Sequence, residues 1–481
     1  MMIAPDKIIS GVIIKLADEV MAIPDPNSGK IKRALKGDQL EVLKLSLRTI
    51  LADSLSILFS KSAHREASIH KATGYYTKSR YCTELSYKIH IKRAYEGLCE
   101  LGYLFETKAG VSNGPVGKYL TRYMATEKLT NLFDAEAFKA LPVVLKKPKN
   151  MDSIRVTQKV KRKDAKTGKM VDVKVLVDYD DTDLTNTFRS NLAKINKVLE
   201  ANWIDLEMPD DEIADMQIIM QNDPEDEDTP PSISFNARSL HRVFNDTDFT
   251  LGGRFYGGWW QGIPSKFREH ILINGKRTCE VDYSTYHPTM LYLQEKLTPP
   301  EDPYIAVVER LACVDEKLGR KGIKQVFNAM LNAKQPMSQP PKHFDPKKYG
   351  LGSWKQASDA VLKEHKLIAH HFYSGVGLKL QRLDSDIAEI IMLHFADMNI
   401  PVLPVHDSFI VHSGYESALI EQMEIVYEKI FKKLPLTKID NFLTRRSEDS
   451  FSIERGPVTL EEALEYANTG HEYRLGLFKG W

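Results

Sequence analysis

Paired cysteines, long apolar runs and a large net charge are all missing from this chain, and each absence narrows its chemistry. The four cysteines, Cys82, Cys99, Cys279 and Cys313, are scattered through 481 residues without a CxxC pair. Neither a disulfide framework nor a thiolate zinc centre is therefore expected, and the thiols read as reduced. No apolar stretch approaches the roughly 18 residues that a membrane-spanning helix needs. The first residues, MMIAPDKIISGVIIKLADEV, carry acids where a secretory signal would need a basic start and an unbroken apolar segment. A cytoplasmic protein without a membrane partner is the expectation.

The net charge of +1 hides segregation: lysine is concentrated over 154–174, and aspartate and glutamate over 209–228. Only local charge informs about partners here. With 42% apolar residues the chain can bury more than one core.

Residues 37–60 space their apolar side chains as an amphipathic helix. A second helix is expected at about 85–101, where Lys88, His90, Lys92 and Arg93 interrupt the apolar stripe and Gly102 ends it. Two strand-like segments follow around a Gly, Ser, Asn and Pro loop. Helix, basic helix and hairpin in this order resembles a winged helix, so 1–135 is expected to be a winged-helix-like domain with Lys88, Lys92 and Arg93 facing nucleic acid. Residues 136–235 are expected to hold a basic hairpin at 154–179, a helix at 184–202 and a solvated acidic linker, as an accessory or thumb-like region. Asp205 and Glu207 read as a helix end or the start of that linker.

The chemistry concentrates in 236–481. In RTCEVDYSTYHPTMLYLQ a short strand ends at Asp282 and passes into a helix, and in VLPVHDSFIV two apolar strands flank His406 and Asp407. Two carboxylates on separate strand tips suit a pair of divalent ions about 3.5–4 Å apart, the arrangement that phosphoryl transfer to a nucleotide requires. Hard oxygen donors favour Mg²⁺, with Mn²⁺ as its substitute.

DYS and HDS in these segments resemble the two metal motifs of family A DNA polymerases and single-subunit RNA polymerases. The block GGRFYGGWWQGIPSKFREHILINGKRTCEVDYS resembles the family A stretch that leads into the first motif. GRKGIKQVFNAMLNAK resembles the fingers helix, and LQRLDSDIAEIIMLHF the helix before the second motif. The resemblance covers roughly 250–435. It implies an α+β fold: a right-hand polymerase palm with reduced fingers and a helical thumb around the Arg254 block. It further implies that Asp282 and Asp407 bind both metals with the Tyr283 carbonyl, that Arg320 and Lys324 grip the triphosphate, and that Gln381, His406 and Arg254 contact a DNA, or RNA, primer-template.

The pattern departs from the DNA enzymes at His287 and Asn332, where a glutamate and a tyrosine normally form the sugar gate, and Ser408 is closer to the RNA polymerases. The expected function is a DNA polymerase that extends a primer from nucleoside triphosphates without proofreading. The alternatives are a primase or single-subunit RNA polymerase using ribonucleotides, or a DNA-binding replication initiator with a vestigial polymerase fold. Trp259 and Trp260 fit either base stacking or a core. Adjacent His370 and His371 are expected to point to different faces of a helix and to have no role.

Overall fold

The protein was analysed as a computed structural model, which describes residues 5–24, 29, 35–59, 66–69, 71, 80–81, 88–110, 120–133, 151–163, 170–221, 233, 235–433, 437–440 and 471–479. It is a mixed α and β molecule with two separate hydrophobic cores, one spanning residues 9–133 and the other residues 154–427.

The smaller core packs helices α1 (Pro5–Ala22), α2 (Asp38–Phe59) and α3 (Lys88–Glu100) against a three-stranded antiparallel sheet of β1 (Ala67–Ile69), β2 (Leu104–Lys108) and β3 (Thr121–Ala125), in the order β1-β3-β2. Every fourth or third residue of α2, Leu43, Leu47, Ile50, Leu51 and Leu55, is essentially inaccessible, as its periodicity predicts. A one-turn helix, α4 (Glu127–Thr130), follows.

The basic helix is less basic on its surface than its sequence suggests. His90 is buried, Arg93 has an enclosed Nη2 without a hydrogen-bond partner, and burial lowers the pKa of both. Lys92 is exposed and salt-bridged to Glu96. The loop expected between β2 and β3 lies partly outside the described residues, as does the turn of the basic hairpin.

The larger core begins with that hairpin, β4 (Ile154–Lys163) and β5 (Met170–Val177), and α5 (Asp183–Ala201). β4 joins β7 (His241–Phe244) and β8 (Gly252–Tyr256) in a sheet ordered β5-β4-β7-β8. A second sheet runs β11-β12-β10-β9-β6, with β13 also on β10. Its strands are β6 (Ile204–Leu206), β9 (Ile271–Ile273), β10 (Lys276–Tyr283), β11 (Leu403–Val405), β12 (Ser408–His412) and β13 (Thr437–Asp440).

Two expectations for the middle of the chain fail. The acidic segment is not all linker: α6 (Asp210–Gln221) buries Ile213, Met216 and Met220 in the core, because its acids leave an apolar stripe at helical spacing intact. Residues 222–232 lie outside the described residues. Asp205 does not end a helix. It sits in β6, 1% exposed, accepting from Trp203 Nε1 at 3.0 Å and from Arg474 Nε at 2.8 Å. Arg474 belongs to α13 (His471–Lys479), which covers this sheet edge and sets Phe478 5.3 Å from Trp203. TLEEALEYA at 459–467 reads as a further helix from its sequence, and it lies outside the described residues.

The chain leaves the second sheet through α7 (Tyr286–Gln294), makes an excursion of α8 (Ile305–Arg310), α9 (Glu316–Asn332) and α10 (Trp354–Glu364), and returns along α11 (Gly377–Asp397) to β11. Helix α12 (Glu416–Phe431) then packs against α11 and β10. No helix among the described residues is long and apolar enough to cross a membrane.

Candidate functional site

β10 and β12 run antiparallel with Asp282 opposite Ser408, and the Tyr283 N–H donates to the Asp407 carbonyl at 3.3 Å. Asp407 occupies the two-residue turn that joins β11 to β12, since Val405 pairs with Ser408. The two acids, 125 positions apart in sequence, therefore stand one residue out of register on neighbouring strands. A turn residue is freed from the alternation of the pleat, so Asp407 can be turned toward the face that Asp282 occupies. Both are partly accessible.

The charges at this corner register on their neighbours. Tyr304 is 2% exposed, and burial raises its pKa; Arg320 opposes that rise, while Asp302, Asp407 and Asp282 all add to it. One phenol thus lies near both acids. The Arg320 guanidinium stacks 5.3 Å from the Tyr304 ring centre and donates to Asp302 at 2.6 Å. Lys324 follows one turn later on α9 and is exposed. Asn332, at the end of the same helix, is also exposed and turns its amide back to the Asn328 carbonyl at 2.8 Å.

Backbone conformation is unusual on both sides of the acids. Thr285 has φ 50° and His406 φ 61°. A β-branched residue in the left-handed region is a true outlier, and such residues cluster where function dictates the path of the chain.

Arg254 does not lie in a helical region. β8 carries it, not a helical thumb, and it pairs with Asp384 of α11 through Nε at 3.1 Å and Nη2 at 2.5 Å. Burial alone would depress its pKa; the charge and hydrogen bonds of Asp384, with a further contribution from Asp407, outweigh that and raise it. His287 Nε2 lies 2.9 Å from the same carboxylate, and 3.3 Å from Arg254 Nη2. Arg254, Asp384 and His287 form one polar cluster beside the acids, with Asp384 buried and the other two partly accessible. Gly253 lets β8 approach α11 this closely: at φ 87°, a Cβ there would meet Phe244 at 2.8 Å and the Ser385 hydroxyl at 3.0 Å. Arg242, fully enclosed on β7, adds a second bridge to α11 through Glu389 at 3.1 Å.

His406 is exposed at the turn, yet surrounding protein mass and the charge of Arg254 lower its pKa. Its ring stands 6.0 Å from that of Tyr256 on β8. Gln381 lies on α11 one turn before Asp384, partly exposed. The Tyr283 ring points inward, donating to the Met423 carbonyl at 2.8 Å and stacking on Tyr286 at 4.5 Å.

Other residues singled out in the sequence take these places, and of them only the expectation for His370 and His371 fails. Ser408 is buried and donates its hydroxyl to Glu280, which supports the strand pair. Trp259 and Trp260 are core residues, 5% and 0% exposed, the latter donating to the Pro404 carbonyl at 3.2 Å. His287 is held by Asp384. His370 and His371 do not diverge; both contact Glu295.

Two carboxylates escaped the sequence reading. Asp384 sits one turn beyond Gln381 on the same helix. Glu280 shares a strand face with Asp282 two residues on, and is anchored by Arg268 at 2.9 Å. Alternation along CEVDY was a signal for the second; nothing set Asp384 apart from Asp386 and Glu389. No protein-family model and no curated protein sequence matches this chain.

Proposed function

We propose that the chain is a template-directed nucleic-acid polymerase whose reacting centre is formed by Asp282 and Asp407. The observation that carries this reading is the strand register that brings the two acids side by side at the end of one sheet. Beside it stand a cationic helix face on α9 and an exposed histidine on the turn. The resemblance of 250–435 to family A DNA polymerases and single-subunit RNA polymerases agrees with that layout, and the proposed architecture is a palm with α8–α10 as reduced fingers. The smaller core, in this reading, is a winged-helix-like duplex-binding domain.

The donors fit magnesium or manganese: two hard carboxylates, partly solvated, with the Tyr283 main chain at the strand tip between them. When bound, such ions supply Lewis acidity to the attacking 3′-hydroxyl and to the departing pyrophosphate. Asp282 and Asp407 hold the reacting centre in place. Arg320, stacked on Tyr304 and tethered to Asp302, presents a pre-oriented guanidinium to the β- and γ-phosphates, and Lys324 adds a mobile second charge. His406, kept neutral, faces the primer end, and Gln381 the primer-template. Arg254 acts through Asp384: its guanidinium is fixed as part of the cleft wall against which His287 and the nucleotide sugar sit. Base pairing selects the nucleotide.

The experiment is extension of a labelled primer on a DNA template with Mg²⁺, run with deoxynucleotides and ribonucleotides separately. Primer extension that disappears in Asp282→Asn and in Asp407→Asn supports the proposal; extension surviving both removes it. Synthesis from ribonucleotides on an unprimed template would move the reading to a primase. Tight, salt-sensitive duplex binding without incorporation would move it to a replication initiator.

A further inference from the structure

Glu295 caps the end of α7, at the point where the chain departs into the α8–α10 excursion, and His370 and His371 lie where it returns. The histidines are neighbours in a 3₁₀ turn (Lys366–His371), where successive side chains normally splay about 120° apart. Here the ring centres are 4.1 Å apart, and both Nε2 atoms donate to the same Glu295 oxygen, at 3.1 Å from His370 and 2.8 Å from His371. Three potential ligand atoms lie within 4.8 Å of one another, and no other group of three His, Cys, Asp or Glu residues among those described does so.

The backbone on either side is well fixed. Ile368 and Phe372, 0% and 5% exposed, anchor the turn in the core. The Tyr373 N–H donates to the Met330 carbonyl at 2.7 Å and the Gly375 N–H to Ala333 at 2.9 Å, joining the return to the end of α9. Glu295 is set by its own N–H on the Leu291 carbonyl at 3.2 Å.

We propose that Glu295, His370 and His371 form a binding site for a transition-metal ion of the zinc class, which clamps the base of the α8–α10 excursion. Two imidazoles and one carboxylate are borderline donors that suit Zn²⁺ over Mg²⁺. Tetrahedral zinc, with bonds of about 2.0–2.2 Å, sets its ligands about 3.3–3.5 Å apart, so the present contacts need open by only a few tenths of an ångström. The Nε2 protons now shared with Glu295 leave those nitrogens when the ion binds, and water completes the coordination. The ion ties together residues 76 positions apart and so restrains the segment that carries Arg320 and Lys324. The metal site itself does not depend on the polymerase reading.

The test uses the full chain, stripped of metal with a chelator and titrated with Zn²⁺ by calorimetry and with Co²⁺ by visible absorption. One site per chain of micromolar affinity or better is expected at this cluster, with a rise in Tm of about 3–6 °C at saturating zinc. The double variant His370→Ala/His371→Ala should lose it while melting like the wild type in chelator. Glu295→Gln, an isosteric surface change that leaves folding intact, should weaken zinc binding at least tenfold and carries the test if the double variant fails to fold. The variant Asp282→Asn/Asp407→Asn should bind zinc as the wild type does, which separates this site from the proposed nucleotide centre. Absence of zinc binding at about 100 µM, or undiminished binding in Glu295→Gln, overturns the proposal.

Discussion

Asp384 carries more of the site than its sequence surroundings disclose. It is 2% exposed, pairs with Arg254 and holds His287. Removing one partner of a buried ion pair strands the other charge, which costs about 3–5 kcal/mol. Asp384→Ala should lower stability by that amount in urea titrations, and a loss below about 1 kcal/mol would show that Arg254 finds other compensation.

His241 offers a second test at this scale. Burial, and then the charge of Arg155 with Nη1 3.0 Å away, push its pKa down to about 3. Its folded pKa is below the unfolded value of about 6.5, so the unfolded chain takes up a proton that the native chain refuses. The contribution is fully present above about pH 6.5 and is lost as the pH falls toward 3, at about 1.4 kcal/mol per pH unit. His241→Gln should remove that slope relative to the wild type; parallel stability profiles between pH 6 and 4 would contradict it. Asp282 and Asp407 were legible because each ends an apolar strand, whereas Asp384 shares its helix with Asp386 and Glu389. Only the return of α11 onto β8 decides which of those acids meets Arg254.

At the scale of elements, α9 is the clearest case of agreement between sequence and structure. Its apolar stripe, Ile323, Val326, Phe327 and Met330, is wholly enclosed, so Arg320 and Lys324 stay one turn apart on the open side. Arg320→Ala with Lys324→Ala should leave melting within a degree or two while raising KM for the nucleotide about 10–100-fold, as expected for lost charge-assisted phosphate contacts. An unchanged KM would detach α9 from nucleotide binding. The acidic segment shows the opposite case. Charge density over 209–228 suggested a linker, but the first part of it keeps a buried face of Ile213, Met216 and Met220, and burial of that stripe outweighs the solvation of the acids. The 3₁₀ turn at His371 misled in another way, because helical geometry alone would separate two adjacent rings.

For the whole molecule, Arg80 and Tyr81, from the segment between β1 and α3, are tied to the larger core by a polar network. Arg80 donates to Asp178 at 2.5 Å, to Asp181 at 3.0 Å and to the Tyr179 carbonyl at 2.6 Å, while the Tyr81 hydroxyl bonds the Val177 carbonyl at 2.9 Å. Asp152 and Asp181 are shared with Arg189, so the contacts form one network of cations and acids. Arg80→Ala should lower stability by about 1.5–3 kcal/mol in urea titrations, as charge-assisted hydrogen bonds are lost, and a change below about 0.5 kcal/mol would show that Arg189 compensates for the acids it shares. Boundaries were expected after residues 135 and 235, whereas the larger core spans 154–427 and runs across the second; the Arg80 network was not legible, since Arg80 and its acids lie about 100 positions apart.

In the proposed polymerase, Asp282 and Asp407 act on the same ions. Electron paramagnetic resonance of Mn²⁺ bound in the presence of a non-hydrolysable nucleoside triphosphate measures this directly. The wild type should hold two more ions per chain than Asp282→Asn/Asp407→Asn, and each single variant should lose tight binding of both. Single variants that each retain full Mn²⁺ binding would contradict it.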